Sequence, residues 1–261
     1  MRRKIKTVIA VVVGMGCILV LVCVGLWGTH SDTDLMMFTA HRPPIMGTQQ
    51  FNLTAVVRPG QANHVEGIFH QAETAARTVD TLMSVYNPAS ELSRFNAAPG
   101  VQTVPLSRQT IDVLTRSFII WKRTDGAFDV TISPLIQLWK RCEKADRVPS
   151  ESELHRARNE SLWSFIDIRP TGAIKTVGSA AVDLGGIAKG YAIDLAVEAM
   201  ISAGCVGGIV DIGGDVRCFG QKPDKKPWRV AIVDPFDDDS TSPFAILAVR
   251  NAAVCTSGNY R

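Results

Sequence analysis

Ala181-Val182-Asp183-Leu184-Gly185-Gly186-Ile187-Ala188-Lys189-Gly190-Tyr191-Ala192 is the stretch on which the reading of this chain turns. A strand-like run ends in a carboxylate, two glycines follow, and helical spacing then runs from Ile187 to Ala203. Paired glycines let a backbone approach a bulky ligand with no Cβ in the way. Free N–H groups and the positive dipole end of a helix opening at Ile187 favour a phosphate, and Lys189 adds a point charge. Asp183 beside such a site is suited to a cation or a ligand hydroxyl. A plain glycine-rich turn with a surface lysine fits the same letters, and the pattern alone leaves both readings open.

Working outward, Val210-Asp211-Ile212-Gly213-Gly214-Asp215 echoes the motif 28 residues on. Two strands ending in Asp-apolar-Gly-Gly suggest two backbones meeting at one crevice, although a pair of tight hairpin turns is written the same way. Upstream, Gly126-Ala127-Phe128-Asp129 sets an aromatic beside an acid, able to stack a planar ring and bond its edge. The competing reading buries Phe128 and uses Asp129 to cap the next turn. Met83 to Pro88, with Tyr86, is a loop leading into a short helical turn over Ser90 to Asn96.

Helical spacing is also expected over His64 to Met83, over Ser107 to Arg123 with Ser107 as N-cap, and over Pro134 to Lys140. Glu143 to Glu160 is charged and reads as a surface excursion with one helix. Strands are expected at Phe51 to Val57, Phe165 to Ile168, Ala173 to Thr176, Ala180 to Leu184, Gly208 to Ile212, Val216 to Phe219, Trp228 to Val233 and Ala245 to Val249. Helices early and strands late, at hairpin spacing, predict an α+β fold rather than a doubly wound parallel sheet.

The 261 residues are 46% apolar and 20% charged, which excludes disordered and collagen-like classes. Arg2, Arg3, Lys4 and Lys6 supply four of the positive charges, so residues 28–261 hold 24 basic against 25 acidic side chains. No basic domain remains, and nucleic acid is excluded as a partner. The five histidines show no metal-binding spacing, and the phosphate-loop motif is absent. Of the cysteines beyond residue 28, Cys142, Cys205, Cys218 and Cys255, none forms a Cys-x-x-Cys pair. Cys205, Cys218 and Cys255 stand in apolar, strand-like surroundings and are expected to be buried free thiols.

Thr7 to Trp27 is a run of 21 residues without charge, long enough as a helix to cross a bilayer. The basic residues before it hold the N-terminus in the cytoplasm and send the rest outward. The expected organisation is an N-terminal transmembrane anchor or signal over 1–28, a polar linker over 29–44, and one domain over 45–261.

Taken together, these segments resemble the ApbE family of FAD:protein FMN transferases. The resemblance runs from Met46-Gly47-Thr48 through Met83–Asn96, Gly126–Asp129, Ser133-Pro134-Leu135, Leu138-Trp139, Asp183–Ala192 and Val210–Asp215 to Thr256-Ser257-Gly258-Asn259-Tyr260-Arg261. It implies an ApbE-like mixed sheet with flanking helices and a magnesium-dependent enzyme. Such an enzyme cleaves FAD, moves FMN onto a threonine of a partner protein and releases AMP. The implied partner is a flavoprotein subunit of a membrane respiratory complex, met on the periplasmic or extracellular side of the cytoplasmic membrane. Met46, Tyr86, Ala127, Phe128, Asp129, Asp183 and Lys189 match positions that contact FAD, and Gly186 falls where the family offers an oxygen to the metal. Some members hydrolyse FAD to FMN and AMP instead, and an exported FAD-binding protein without catalysis is a further alternative. The family pattern continues past Thr-Ser-Gly-Asn-Tyr-Arg into a His-x-x-Asp-Pro segment and a helix with Asp and Thr or Ser metal ligands. Without that segment the chain ending at Arg261 is expected to bind magnesium poorly and transfer little flavin.

Overall fold

The computed structural model describes residues 34–234 and 243–257, with the backbone of 8–14 and 17–23. In chain order the strands are β1 (Val8–Gly14), β2 (Cys17–Cys23), β3 (Met36–His41), β4 (Phe51–Val57), β5 (Thr103–Pro105), β6 (Ile166–Arg169), β7 (Gly172–Lys175), β8 (Gly207–Ile212), β9 (Asp215–Gly220), β10 (Trp228–Ile232), β11 (Ala245–Val249) and β12 (Ala252–Val254). The helices are α1 (Val65–Met83), α2 (Glu91–Ala97), α3 (Arg108–Arg123), α4 (Ser133–Lys144), α5 (Glu151–Glu160) and α6 (Ala188–Ser202). Every pairing among the described strands is antiparallel, in keeping with an α+β fold and not with a doubly wound parallel sheet. The chain divides into two compact units, one of residues 1–77 with 192–261 and one of residues 78–191.

The first unit is built on a five-stranded sheet in the order β12-β9-β8-β4-β3. Period-2 patterning sets the register: on β4, Phe51, Leu53 and Ala55 are buried while Asn52 and Thr54 are partly exposed. Phe51 lies opposite Ile212 and Val56 opposite Gly207. Val56, Cys218, Trp228 and Val249 form one buried cluster, where the Trp228 indole donates to the Phe219 carbonyl at 3.1 Å. Trp228 and Val249 belong to a separate ribbon of β10 and β11.

The second unit pairs a three-stranded sheet, β5-β7-β6, with helices whose starts are set by serine. Ser90, Ser107 and Ser150 cap α2, α3 and α5 by accepting from the amides of Ser93, Thr110 and Glu153. Glu153 completes a capping box at Ser150 and takes a two-point ion pair from Arg147, at 2.7 and 2.9 Å. That pair and the Ser150 groups hold the Glu153 carboxyl down to about 2. Leu138 and Cys142 of α4 pack with Ala157 of α5.

Four expectations change. Residues 36–41 of the expected linker are β3, an edge strand with Met36 opposite Val57, because Phe38 and Ala40 alternate inward and satisfy the edge of β4. Over the run expected as an apolar helix, β1 and β2 pair with Val8 opposite Cys23, in keeping with the extended preference of valine and isoleucine. Among the described residues no helix is long and apolar enough to cross a membrane. Ala180 to Leu184 joins no ladder, since other groups take its backbone, as set out below. Cys255 is exposed, near the end of the described chain, whereas Cys205 and Cys218 are buried and burial pushes both thiols up to about 11.

Candidate active site

In the second unit the Asp183 turn and the Phe128 segment come together. The Asp183 amide donates to the Val130 carbonyl at 2.8 Å, and the Phe128 ring lies so close that a Cβ on Gly186 would meet its Cε2 at 3.2 Å. The aromatic residue is therefore a half-buried wall beside the turn rather than a core residue. Glycine at 186 permits this approach. Ala127 is exposed at the same edge. Asp129 does what the competing reading required of it: its Oδ1 accepts from the amide and the hydroxyl of Thr131, both at 2.7 Å, and starts a helical turn over Val130–Ile132.

Asp183 folds its own turn in the same way, with Oδ1 accepting from the Gly185 amide at 2.8 Å. Its Oδ2 takes no hydrogen bond from the described residues, and the side chain is partly exposed. The helix start is less vacant than its sequence suggests, because the Ile187 and Ala188 amides both donate to the Leu184 carbonyl, at 3.0 and 2.8 Å. The anion cradle expected from free N–H groups at Ile187 is narrowed accordingly. Lys189 follows in the first turn of α6, partly exposed.

Tyr86 is 81% exposed in the loop before α2. Its hydroxyl accepts from Lys140 Nζ at 3.2 Å, and the same ammonium stands 5.1 Å from the ring centroid, so α4 supplies a cation to the tyrosine. Sequence reasoning missed Lys140, which no motif marked.

The first unit brings together two other candidates. Met46 and Gly47 both have positive φ, 52° and 71°, between bridged Ile45 and Thr48, the conformation of a type I′ turn. Arg42 anchors the approach to this turn through Glu66 at 2.8 Å, and Arg77 donates to the Pro43 carbonyl at 2.8 Å. The echo at Asp211 to Asp215 is a second such turn, joining β8 to β9 through Gly213 (φ 60°) and Gly214 (φ 88°) with Ile212 opposite Asp215. It is a tight hairpin, the alternative reading of those letters. Gly213 nonetheless sits against Thr48, and its amide donates to the Gln50 carbonyl at 2.8 Å. Both Asp211 oxygens are used, by Asn52 and by the Gly214 amide, each at 3.0 Å.

Among the described residues there is no group of three or more His, Cys, Asp or Glu side chains that could hold a metal ion. The Gly186 carbonyl and the open Asp183 oxygen are hard donors of the kind magnesium takes, but they do not make a complete magnesium site. The closing Gly258–Arg261 stretch lies outside the described residues.

In fold, the chain is similar to flavin transferases of known structure. It superimposes on flavin transferase ApbE from Vibrio cholerae with a TM-score of 0.75 and 32% identity, covering 87% of this chain and 73% of that one. Against the apo flavinyl transferase ApbE from Pseudomonas stutzeri the TM-score is 0.73 at 29% identity, covering 87% and 70%. Residues 46–261 match the ApbE family, and the chain belongs to it. Among curated relatives, the FAD:protein FMN transferase of Vibrio cholerae is 34% identical over 220 residues, 84% of this chain and 65% of the relative. That of Haemophilus influenzae is 32% identical over 209 residues, 75% of this chain and 59% of the relative. The chain thus spans about three fifths of the length of these relatives.

Proposed function

We propose that this protein is an FAD:protein FMN transferase. The observation that carries the proposal is the aromatic wall of Phe128 set against the exposed turn at Gly186, beside a carboxylate with one oxygen that no described residue bonds. Such a place suits a flat ring system joined to a diphosphate, and the names of the family relatives agree with it. Phe128 and Ala127 would flank the ring, Asp129 and Asp183 would bond ligand hydroxyls or ring edge, and Lys189 would meet phosphate charge. Tyr86, braced by Lys140, is a further proposed contact, and Met46 is proposed as one on the family resemblance alone.

In the proposed reaction a threonine hydroxyl of the acceptor attacks the phosphorus of the FMN half. A new O–P bond forms, the bridging P–O bond breaks, the hydroxyl proton passes to the medium, and AMP leaves. Magnesium is the metal the family resemblance implies. Because the described residues do not complete a site for it, no step is assigned to it. The acceptor is a flavoprotein subunit of a membrane respiratory complex. The uncharged 21-residue run and the four basic residues before it support a tether to the cytoplasmic membrane with the rest of the chain outside.

The test is incubation of the full chain with FAD, magnesium and a threonine-bearing acceptor, followed by in-gel flavin fluorescence and AMP quantification. Covalent fluorescence with equimolar AMP is expected, at low yield because the described residues do not complete a magnesium site. Free FMN without labelled protein would replace the proposal with an FAD pyrophosphatase, and tight flavin retention without AMP would replace it with a binding protein. Asp183→Ala and Lys189→Glu are each expected to weaken FAD binding in a fluorescence titration, and unchanged affinity in both would remove the site.

A further inference from the structure

Ala180 to Leu184 belongs to no helix or strand, and Val182 at its centre is fully buried, yet no described strand pairs with it. A buried peptide group without partners is not tolerated, so something must stand in for a neighbouring strand. The stand-in is one side chain. Asn96 Oδ1 accepts from the Val182 amide at 2.9 Å, and Asn96 Nδ2 donates to the Val182 carbonyl at 2.8 Å. A primary amide holds donor and acceptor side by side, so this two-point contact reproduces a rung of a sheet and fixes the segment against rotation about its own axis. The next residue is Asp183, whose amide is taken by Val130 and whose carboxylate opens the glycine turn.

Asn96 is itself held. Its carbonyl accepts from Lys175 Nζ at 2.7 Å, and the same ammonium donates to the Gly178 carbonyl at 2.9 Å. Lys175 is 1% exposed and forms no ion pair with a described residue. Burying such a group is unfavourable unless its hydrogen bonds fix something in place. At the other end of α2, Ser90 and Ser93 hydroxyls donate to the Ser84 carbonyl, at 2.7 and 3.1 Å, in the loop that carries Tyr86. One short helix therefore fixes the Tyr86 loop at its start and the Asp183 turn at its end.

We propose that Asn96, anchored by Lys175, is a positioning residue that sets the orientation of Asp183 for the ligand. The affinity part rests on the function proposed above, whereas the structural part does not. The experiment compares the full chain with Asn96→Ala, Asn96→Asp and Lys175→Met by hydrogen exchange of residues 180–185 and by FAD titration. Asn96→Ala is expected to lower protection of 180–185 by a hundredfold or more, with 207–220 unchanged as the control for folding, and to weaken FAD binding at least tenfold. Asn96→Asp keeps the acceptor but loses the donor, so its protection should recover as pH falls and the new carboxyl gains a proton. A side chain that only filled space would show no such pH profile. Lys175→Met should lower protection of the same peptides to a smaller extent.

Unchanged protection at 180–185 in Asn96→Ala would overturn the proposal, as would lost protection with unaltered FAD affinity. A parent chain that binds no FAD would sink the proposed function instead, and the exchange data alone would then judge the clamp. If Asn96→Ala fails to fold, the pH recovery of Asn96→Asp decides, and its absence would overturn the proposal.

Discussion

Gly213 and Gly214 are neighbours in one hairpin turn, yet the structure assigns them different costs of substitution. Both have positive φ, so an alanine at either position carries the left-handed penalty of about 1 kcal/mol. The change in the unfolded chain is the same for both and drops out of the comparison. A Cβ at Gly214 meets nothing within 4 Å, whereas one at Gly213 falls 2.5 Å from Thr48 Cγ2 and 2.8 Å from its Cβ. Thr48 cannot swing clear without breaking its own bonds to the Ile45 and Gln50 carbonyls, at 2.9 and 3.2 Å. Overpacking of this kind adds about 2 kcal/mol. Gly214→Ala should therefore cost about 1 kcal/mol and Gly213→Ala about 3 kcal/mol in urea unfolding. The corresponding thermal midpoints should separate by roughly 4–8 °C. Thr48→Ser removes the nearest methyl, so the Thr48→Ser, Gly213→Ala pair should be less destabilised than the sum of its parts by about 1 kcal/mol. Equal losses at the two glycines would refute the contact between the Met46 turn and the β8–β9 hairpin.

Three further outcomes are expected. Met46→Asn should relieve the strained turn and so leave stability within about 1 kcal/mol of the parent, because the relief offsets lost packing, while FAD affinity in a titration falls severalfold. Maleimide labelling of the native chain, mapped by mass spectrometry, should modify Cys255 but leave Cys142, Cys205 and Cys218 intact until urea is added, since burial keeps the last three from the reagent. Glu153 has a depressed folded pKa, so its contribution is present above the ordinary value of 4.5 and is lost as pH falls through about 2. The start of α5 should loosen across that window by amide exchange, and Glu153→Gln should abolish the pH dependence.

The sequence told most where side-chain period and caps speak for themselves. The alternation of Phe51 to Val57 and the serine at 107 placed β4 and α3 to within a residue. It told least where one residue does the work of an element. Asn96 reads as the end of a helical turn, and nothing local announces that its amide pairs with a peptide 86 residues away. Lys175 left a trace, since alternation along Ala173 and Lys175 puts the lysine on the buried face, but its partners at Asn96 and Gly178 are visible only after folding. The two Asp-apolar-Gly-Gly runs show the opposite failing. Their letters agree, but Gly213 and Gly214 take left-handed angles to turn a hairpin, while Gly185 and Gly186 do not and lead into a helix. Backbone angle rather than composition separates a turn that closes a sheet from one that leads into a helix.

The incorporation of Met36–His41 into the sheet bears on the proposed tether. With the proposed tether ending at Gly28, sixteen free residues would have let the folded part roam about 55 Å from the bilayer at full stretch. With β3 starting at Met36, seven residues of sequence follow Gly28, which would reduce that radius to about 25 Å. Were that tether in place, the folded part would sample the lipid surface and little else, and an acceptor anchored in the same membrane would be met far more often than one diffusing freely beyond it.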